Sequence, residues 1–304
     1  MDKCGLTGQN RRLSSCLNGE LRMEFFDFWA RSETIPTKGH TVKFSACVGF
    51  SNLSQADALR VANERAQRTA DLINTNQPWN YDYNKLPLCE EVVDRFTQDG
   101  QVVTVVSRVH YGSIVLNTAR VLFADIDLRP EQLKQPARNW FSFLKKTAPT
   151  PPVVGADVIE NLQEICDADL SLGFRLYRTA AGFRAMATSR LFDVNDPFTT
   201  TLLNKMRSDG LYVTLCKRQQ CFRARLTPKP YRIGIDDPPA RFPFQDSTSA
   251  NAAKQWQANY DRVAKDYATC AFVSQLGNPA IAEDVESVMQ LHDHFACNGQ
   301  LPLA

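Results

Sequence analysis

The sequence contains no apolar run approaching the roughly 20 residues that cross a bilayer, and its first 20 residues are polar, without the apolar segment of a secretory signal. It has no Cys-x-x-Cys pair, and its nine cysteines are an odd number. A recognised zinc spacing is therefore missing, and a complete disulfide framework is disfavoured. Charge of one sign is not in excess: the formal net charge is +2 over 304 residues. Any nucleic-acid binding must then come from a local patch. No repeat of solenoid length is present. These absences lead us to expect a cytoplasmic protein without a membrane partner, whose cysteines are mostly free thiols.

What is present fits a soluble fold with a substantial core. Apolar residues make up 43% of the chain and charged residues 22%, both ordinary for globular proteins. The length suits one large domain or two intimate ones. We expect a flexible stretch over 1–20, an α+β core over 21–248 with a proline-rich linker near 147–155, and a helical C-terminal region over 249–304.

Within the core, periodicity predicts elements in order. Residues 21–31 read as a short docking helix and 41–50 as a strand. Residues 51–74 read as a helix opened by a capping-box pattern at Ser54 and Asp57. An aromatic loop follows, with Trp79, Tyr81 and Tyr83, then a short helix over 89–96. Three apolar runs, 101–109, 113–116 and 121–126, read as strands, the first two a hairpin and the third lying inside a sheet. Helices are expected over 129–146, 156–169 and 197–207, a hairpin over 174–188, and two strand-like runs over 211–226. Alternating runs of strands and helices give an α+β class with mostly antiparallel sheets and flanking helices.

The third strand ends in Asp125-Ile-Asp127. Strand side chains alternate faces, so both carboxylates point the same way. Two adjacent negative charges on one face call for a cation between them, either a divalent metal or arginines. Paired aspartates of this kind form part of two-metal phosphoryl-transfer sites; the competing reading is a loop cap plus an arginine-paired acid.

Three other constellations stand out. Arg178, Thr179, Gly182 and Arg184 surround the tight turn of the 174–188 hairpin, an arrangement that suits a phosphate or a plain charged surface hairpin. Lys217, Arg218, Arg223, Arg225, Lys229 and Arg232 form the one local basic segment, with Phe222 and Tyr231 interleaved, the footprint of a nucleic-acid backbone or nucleotide phosphates, or of an edge strand blunted by charge. Finally, Cys216, Cys221, Cys270 and His292 compose a conceivable zinc set, against the alternative of buried free thiols and a surface histidine.

Taken in order, three of these pieces resemble the archaeo-eukaryotic primase superfamily, the primase-polymerases. The strand Val121 to Leu128 resembles that family's Asp-x-Asp motif. Arg178-Thr-Ala-Ala-Gly-Phe-Arg184 resembles its small-residue turn, with Arg184 where histidine is usual. Arg223-Ala-Arg-Leu-Thr-Pro-Lys229 resembles a later Arg-x-Arg strand and lysine. The resemblance implies a metal-dependent nucleotidyltransferase. Asp125 and Asp127 would hold Mg or Mn, and Arg184, Arg223, Arg225 and Lys229 would hold nucleoside triphosphate or template. For the family's third carboxylate the chain offers Asp193, Asp209 and Asp236, none on an expected strand. The wider pattern, from Tyr111-Gly112 to Leu291-His-Asp293, is similar to bacterial proteins with no assigned activity. A non-catalytic nucleic-acid or protein-binding module using residues 217–232 is the alternative, and a contact made by the loop around Trp79 to Tyr83 is a third.

Overall fold

The alternating apolar runs between residues 101 and 128 do become strands, and the sheets they join set the frame of the molecule. The computed structural model describes residues 23–38, 43–77, 87–98, 100–128 and 155–304. The expectations for 1–20, the loop at Trp79 to Tyr83, the 129–146 helix and nearly all of the 147–155 linker lie outside these residues.

In chain order the strands are β1 (Phe28–Arg31), β2 (Ile35–Pro36), β3 (Phe44–Ser45), β4 (Val48–Ser51), β5 (Glu91–Gln98), β6 (Gln101–Arg108), β7 (Ile114–Thr118), β8 (Phe123–Asp127), β9 (Gly173–Thr179), β10 (Gly182–Ala187), β11 (Phe222–Arg225) and β12 (Cys270–Gly277). The helices are α1 (Gln55–Asn74), α2 (Ala156–Ala168), α3 (Pro197–Lys205), α4 (Gly210–Gln219), α5 (Ser247–Ala264) and α6 (Glu283–Ala296). Two four-stranded sheets carry the core, in the orders β12–β9–β10–β8 and β11–β7–β6–β5. Every strand pair in them is antiparallel, so the α+β class holds.

Five expectations need correction. Residues 28–31 form a strand paired with β4 rather than part of a helix. Residues 91–98 form β5, not a helix; Val92 and Val93 favour the extended chain, and the pairing with β6 decides it. Residues 210–219 form a helix, because Asp209 caps it by accepting from the Tyr212 amide at 2.7 Å. The C-terminal region is not purely helical, since β12 lies between α5 and α6 and pairs with β9. The Asp-bearing strand is also displaced from its expected place: β8 is an edge strand, paired with β10.

The sequence at α1 shows how local chemistry fixes position. Ser54 accepts from the Asp57 amide at 3.1 Å, the N-cap that the sequence suggested. Ala58, Ala62, Ala66 and Ala70 are fully buried on one face. These small side chains let the helix lie close on β4. The approach is tight enough that a Cβ at Gly49 would stand 2.2 Å from the Ala58 carbonyl, so no larger residue fits there.

One continuous core joins the strands to the helices. Phe123, Ala124, Ile126, Phe174, Leu176, Phe183 and Ala185 of the first sheet pack with Val158, Leu162 and Cys166 of α2 and with Phe222 and Ala224 of β11. At roughly 1.5–3 kcal/mol for each large apolar side chain removed from water, this cluster is the main source of stability. Among the described residues, no helix is long and apolar enough to cross a membrane.

Candidate functional site

The edge strands of the two sheets, β8 and β11, meet at a seam. Tyr212, buried on α4, fastens it: its hydroxyl donates to the Phe123 carbonyl at 2.8 Å and accepts from the Arg223 amide at 3.3 Å. A buried phenol that makes both bonds loses nothing by leaving water. The aspartates of β8 thus stand beside the strand that carries Arg225.

On β8, Ala124 and Ile126 are buried, as is Leu128 just beyond it, whereas Asp125 is partly exposed and Asp127 exposed. The two carboxylates therefore share the open face, as alternation requires. Arg184 is the register partner of Asp125 and Gly182 the partner of Asp127. A Cβ at Gly182 would stand 2.0 Å from the Ile126 carbonyl, so glycine is required opposite Asp127.

A third acid joins them. The Asp209 amide donates to the Asp125 carbonyl at 2.8 Å, and Ser208 Oγ lies 3.3 Å from both the amide and the carbonyl of Asp125. The Asp127 carboxyl is pushed above its usual range, first by burial and then by repulsion from Asp125 and Asp209; Lys229 and Arg232 oppose the shift. Of the three sequence candidates for a third carboxylate, Asp209 is the one that comes to the pair. One of its oxygens is already used as the cap of α4.

The positive side of the site comes from the turn after β11. Ser113 Oγ and Tyr260 hydroxyl both donate to the Pro228 carbonyl, at 2.7 and 2.6 Å, and Thr227 Oγ1 accepts from the Ile114 amide at 2.8 Å. These bonds fix the turn that leads to Lys229 and the 3₁₀ segment Pro230–Ile233. Burial pulls the Lys229 ammonium below its usual value, and the Arg225 and Arg232 charges add to this; Tyr231 and Asp125 oppose it. Lys229 and Arg232 both lie against the exposed Tyr231 ring, at 5.9 and 5.8 Å. Arg225 Nε is buried without a hydrogen-bond partner.

Arg184 is held by residues that the sequence reading assigned elsewhere. Its Nη1 donates to the Arg225 carbonyl at 2.9 Å and to His292 Nε2 at 3.0 Å. His292 Nε2 is then the acceptor, so Nδ1 carries the hydrogen and donates to Asp293 Oδ1 at 2.9 Å. Asp293 also accepts from the Tyr177 hydroxyl at 2.7 Å and from Arg175 at 2.8 Å. Burial, with the Arg184 charge adding to it, drives the His292 pKa down to about 4 despite the bond to Asp293. The ring is neutral at physiological pH and fully buried, not a surface feature of a helix end. The sequence marked it only as a conceivable zinc ligand and as part of Leu291-His-Asp293; nothing in either pattern foretells its bond to Arg184.

Several expected site residues lie elsewhere. Arg223 turns away into the second sheet, where it pairs with Glu90 at 2.6 Å, both side chains buried. Arg178 pairs with Phe183 in register, on the face opposite Arg184, and donates to the Gly182 carbonyl at 2.6 Å while its guanidinium stacks on Phe183. Thr179 is buried beside Cys270. Lys217 and Arg218 occupy the last turn of α4, where cations suit the helix dipole; Asp209 is at the other end, roughly 12 Å along the axis. The expected basic segment is therefore divided among a helix end, a buried strand and a turn. Nor do the residues considered for zinc assemble: Cys216 and Cys221 neighbour Tyr212 and Arg223, whereas Cys270 lies near His292 and Cys297. Among the described residues, no group of three or more His, Cys, Asp or Glu side chains is arranged to hold a metal ion.

Two carboxylates on one face nevertheless fit Mg²⁺ or Mn²⁺. Magnesium is typically bound by one or two carboxylates together with substrate phosphate oxygens rather than by an all-protein cage. The repulsion from Asp125 and Asp209, which together with burial raises the Asp127 carboxyl, is what such an ion would relieve.

No protein-family model, no curated protein and no solved structure matches this chain.

Proposed function

We propose that the protein is a primase-polymerase-like nucleotidyltransferase, which binds a nucleoside triphosphate with Mg²⁺ or Mn²⁺ and acts on nucleic acid in the cytoplasm. The observation that carries this reading is that Asp125, Asp209, Lys229 and Arg232, up to 107 positions apart in sequence (232 − 125), all lie within electrostatic range of Asp127. Asp125 and Asp127 would hold the ion, which supplies charge neutralisation at the phosphates. Lys229 and Arg232 would bind the outer phosphates, and Tyr231, exposed beside them, offers a face on which a base can stack. Arg225 would contribute its positive charge beside Lys229. Arg184, fixed by His292, would hold the position that the family gives to histidine.

The alternative of a module binding through residues 217–232 is disfavoured by the burial of Arg223 against Glu90. Isothermal titration with a nucleoside triphosphate tests the proposal. Binding is expected to require Mn²⁺ and to be lost in both Asp125→Ala and Lys229→Ala. Metal-independent binding that survives Asp125→Ala would refute it.

A further inference from the structure

We propose that Cys270 and Cys297 are a redox-active dithiol that closes to a disulfide on exchange with a small-molecule disulfide. The two residues are partners in a parallel β-bridge that ties the end of α6 to the start of β12. Ladder partners lie about 4.8 Å apart, inside the roughly 4.4–6.8 Å Cα separation that a disulfide spans. The backbone around them is held on both sides: the Thr269 amide donates to the Ala296 carbonyl at 3.1 Å, and the Asn298 amide to the Cys270 carbonyl at 3.3 Å. All seven described cysteines are free thiols, and these two are the pair brought together by a bridge.

The two sulfurs have different roles. Cys270 is buried, with Sγ 3.6 Å from the Ala296 carbonyl and 3.9 Å from His292 Nε2. Cys297 is partly exposed and lines a cavity of about 560 Å³, with Phe96, Leu226, Leu291 and Phe295 among its walls. The hydrogen bond from Cys270 lowers the Cys297 thiol to about 7; burial opposes the shift and the Phe272 amide adds to it. An attacking thiol is most effective when its pKa lies near ambient pH. That same hydrogen bond, and then burial, push Cys270 upward, and Cys89, Cys166, Cys216 and Cys221 are also raised, chiefly by burial.

The exchange proceeds in two steps. The Cys297 thiolate attacks one sulfur of the small disulfide, forming a mixed disulfide and releasing one thiolate. Cys270 then attacks the Cys297 sulfur and expels the second thiolate; its proton passes to the departing group. The protein gives up two electrons and the small disulfide is reduced to two thiols. Because Cys270 Sγ touches His292, which accepts from Arg184, the change occurs at the foundation of Arg184.

The experiment is oxidation of the full chain with glutathione disulfide, followed by alkylation, intact mass and peptide mapping. The expected result is the loss of two hydrogens with a Cys270–Cys297 linkage, reversed by dithiothreitol. Cys270→Ser should stop at the glutathione adduct on Cys297, and Cys297→Ser should give neither adduct nor linkage at position 270. Mapping separates this pair from Cys4 and Cys16. Recovery of both Cys270 and Cys297 alkylated after oxidation of the unmodified sequence, or a linkage of either to another cysteine, would overturn the proposal without bearing on nucleotide binding.

Discussion

Arg184 and Asp125 face each other across the β8–β10 ladder as register partners, which puts their Cβ atoms about 5 Å apart on one face. The guanidinium is held through Nη1 by the Arg225 carbonyl and by neutral His292. It therefore keeps its position without depending on the aspartate, which leaves Asp125 free for the proposed ion.

Arg184→Lys should be a severe change despite the retained charge, because lysine Nζ ends one bond short of Nη1, the nitrogen that makes both bonds, and the more strongly hydrated ammonium is costlier to bury. His292 Nε2 would be left buried with only the weak Cys270 Sγ contact at 3.9 Å. Chemical denaturation should show a loss of about 2–3 kcal/mol.

The parts of this site legible in the sequence were those that follow from alternation. Asp125 and Asp127 on one face and the hairpin of Arg178 and Arg184 need only a period of two and a tight turn. Long-range burial was not legible. Arg223 and Arg225 look equivalent along the strand, yet Glu90, 133 residues earlier, captures Arg223. Tyr212-Val-Thr214 reads as strand, and only the Asp209 cap and packing against β8 turn it into helix. Strand β12 was hidden because an eight-residue strand between two helices carries no signal without its partner β9.

Asp209→Asn separates the two roles of that residue. Asparagine caps as well as aspartate, so stability should hardly change. Removal of the negative charge should lower the Asp127 pKa, since repulsion from Asp209 helps to raise it. Carbon-detected NMR titration of the Asp127 carboxyl reads this directly; an unchanged pKa would mean that Asp209 lies too far away to matter.

The buried histidine predicts a pH dependence. His292 takes a proton near its ordinary value in the unfolded chain but only at about 4 in the folded one. Its contribution to stability is fully present above the unfolded value and falls as pH drops from there toward the folded value. Between about pH 7.5 and pH 5 the loss should be on the order of 2 kcal/mol. In His292→Gln this part of the slope should vanish, as measured by urea midpoints across that range.

The Glu90–Arg223 pair predicts strong coupling. Glu90→Gln leaves a buried arginine charge uncompensated and should cost about 3–5 kcal/mol. The double replacement Glu90→Leu with Arg223→Met should recover most of that loss in denaturant unfolding, and nucleotide affinity should be retained, because this arginine is outside the proposed site.

The most direct test of the whole account is crystallographic: crystals grown with Mn²⁺ and a non-hydrolysable nucleoside triphosphate, with anomalous scattering measured at the manganese edge. An anomalous peak is expected between Asp125 and Asp127, with phosphate density reaching Lys229 and Arg232. Ordered nucleotide elsewhere on the molecule, or a bound triphosphate with no anomalous peak at the two aspartates, would contradict it.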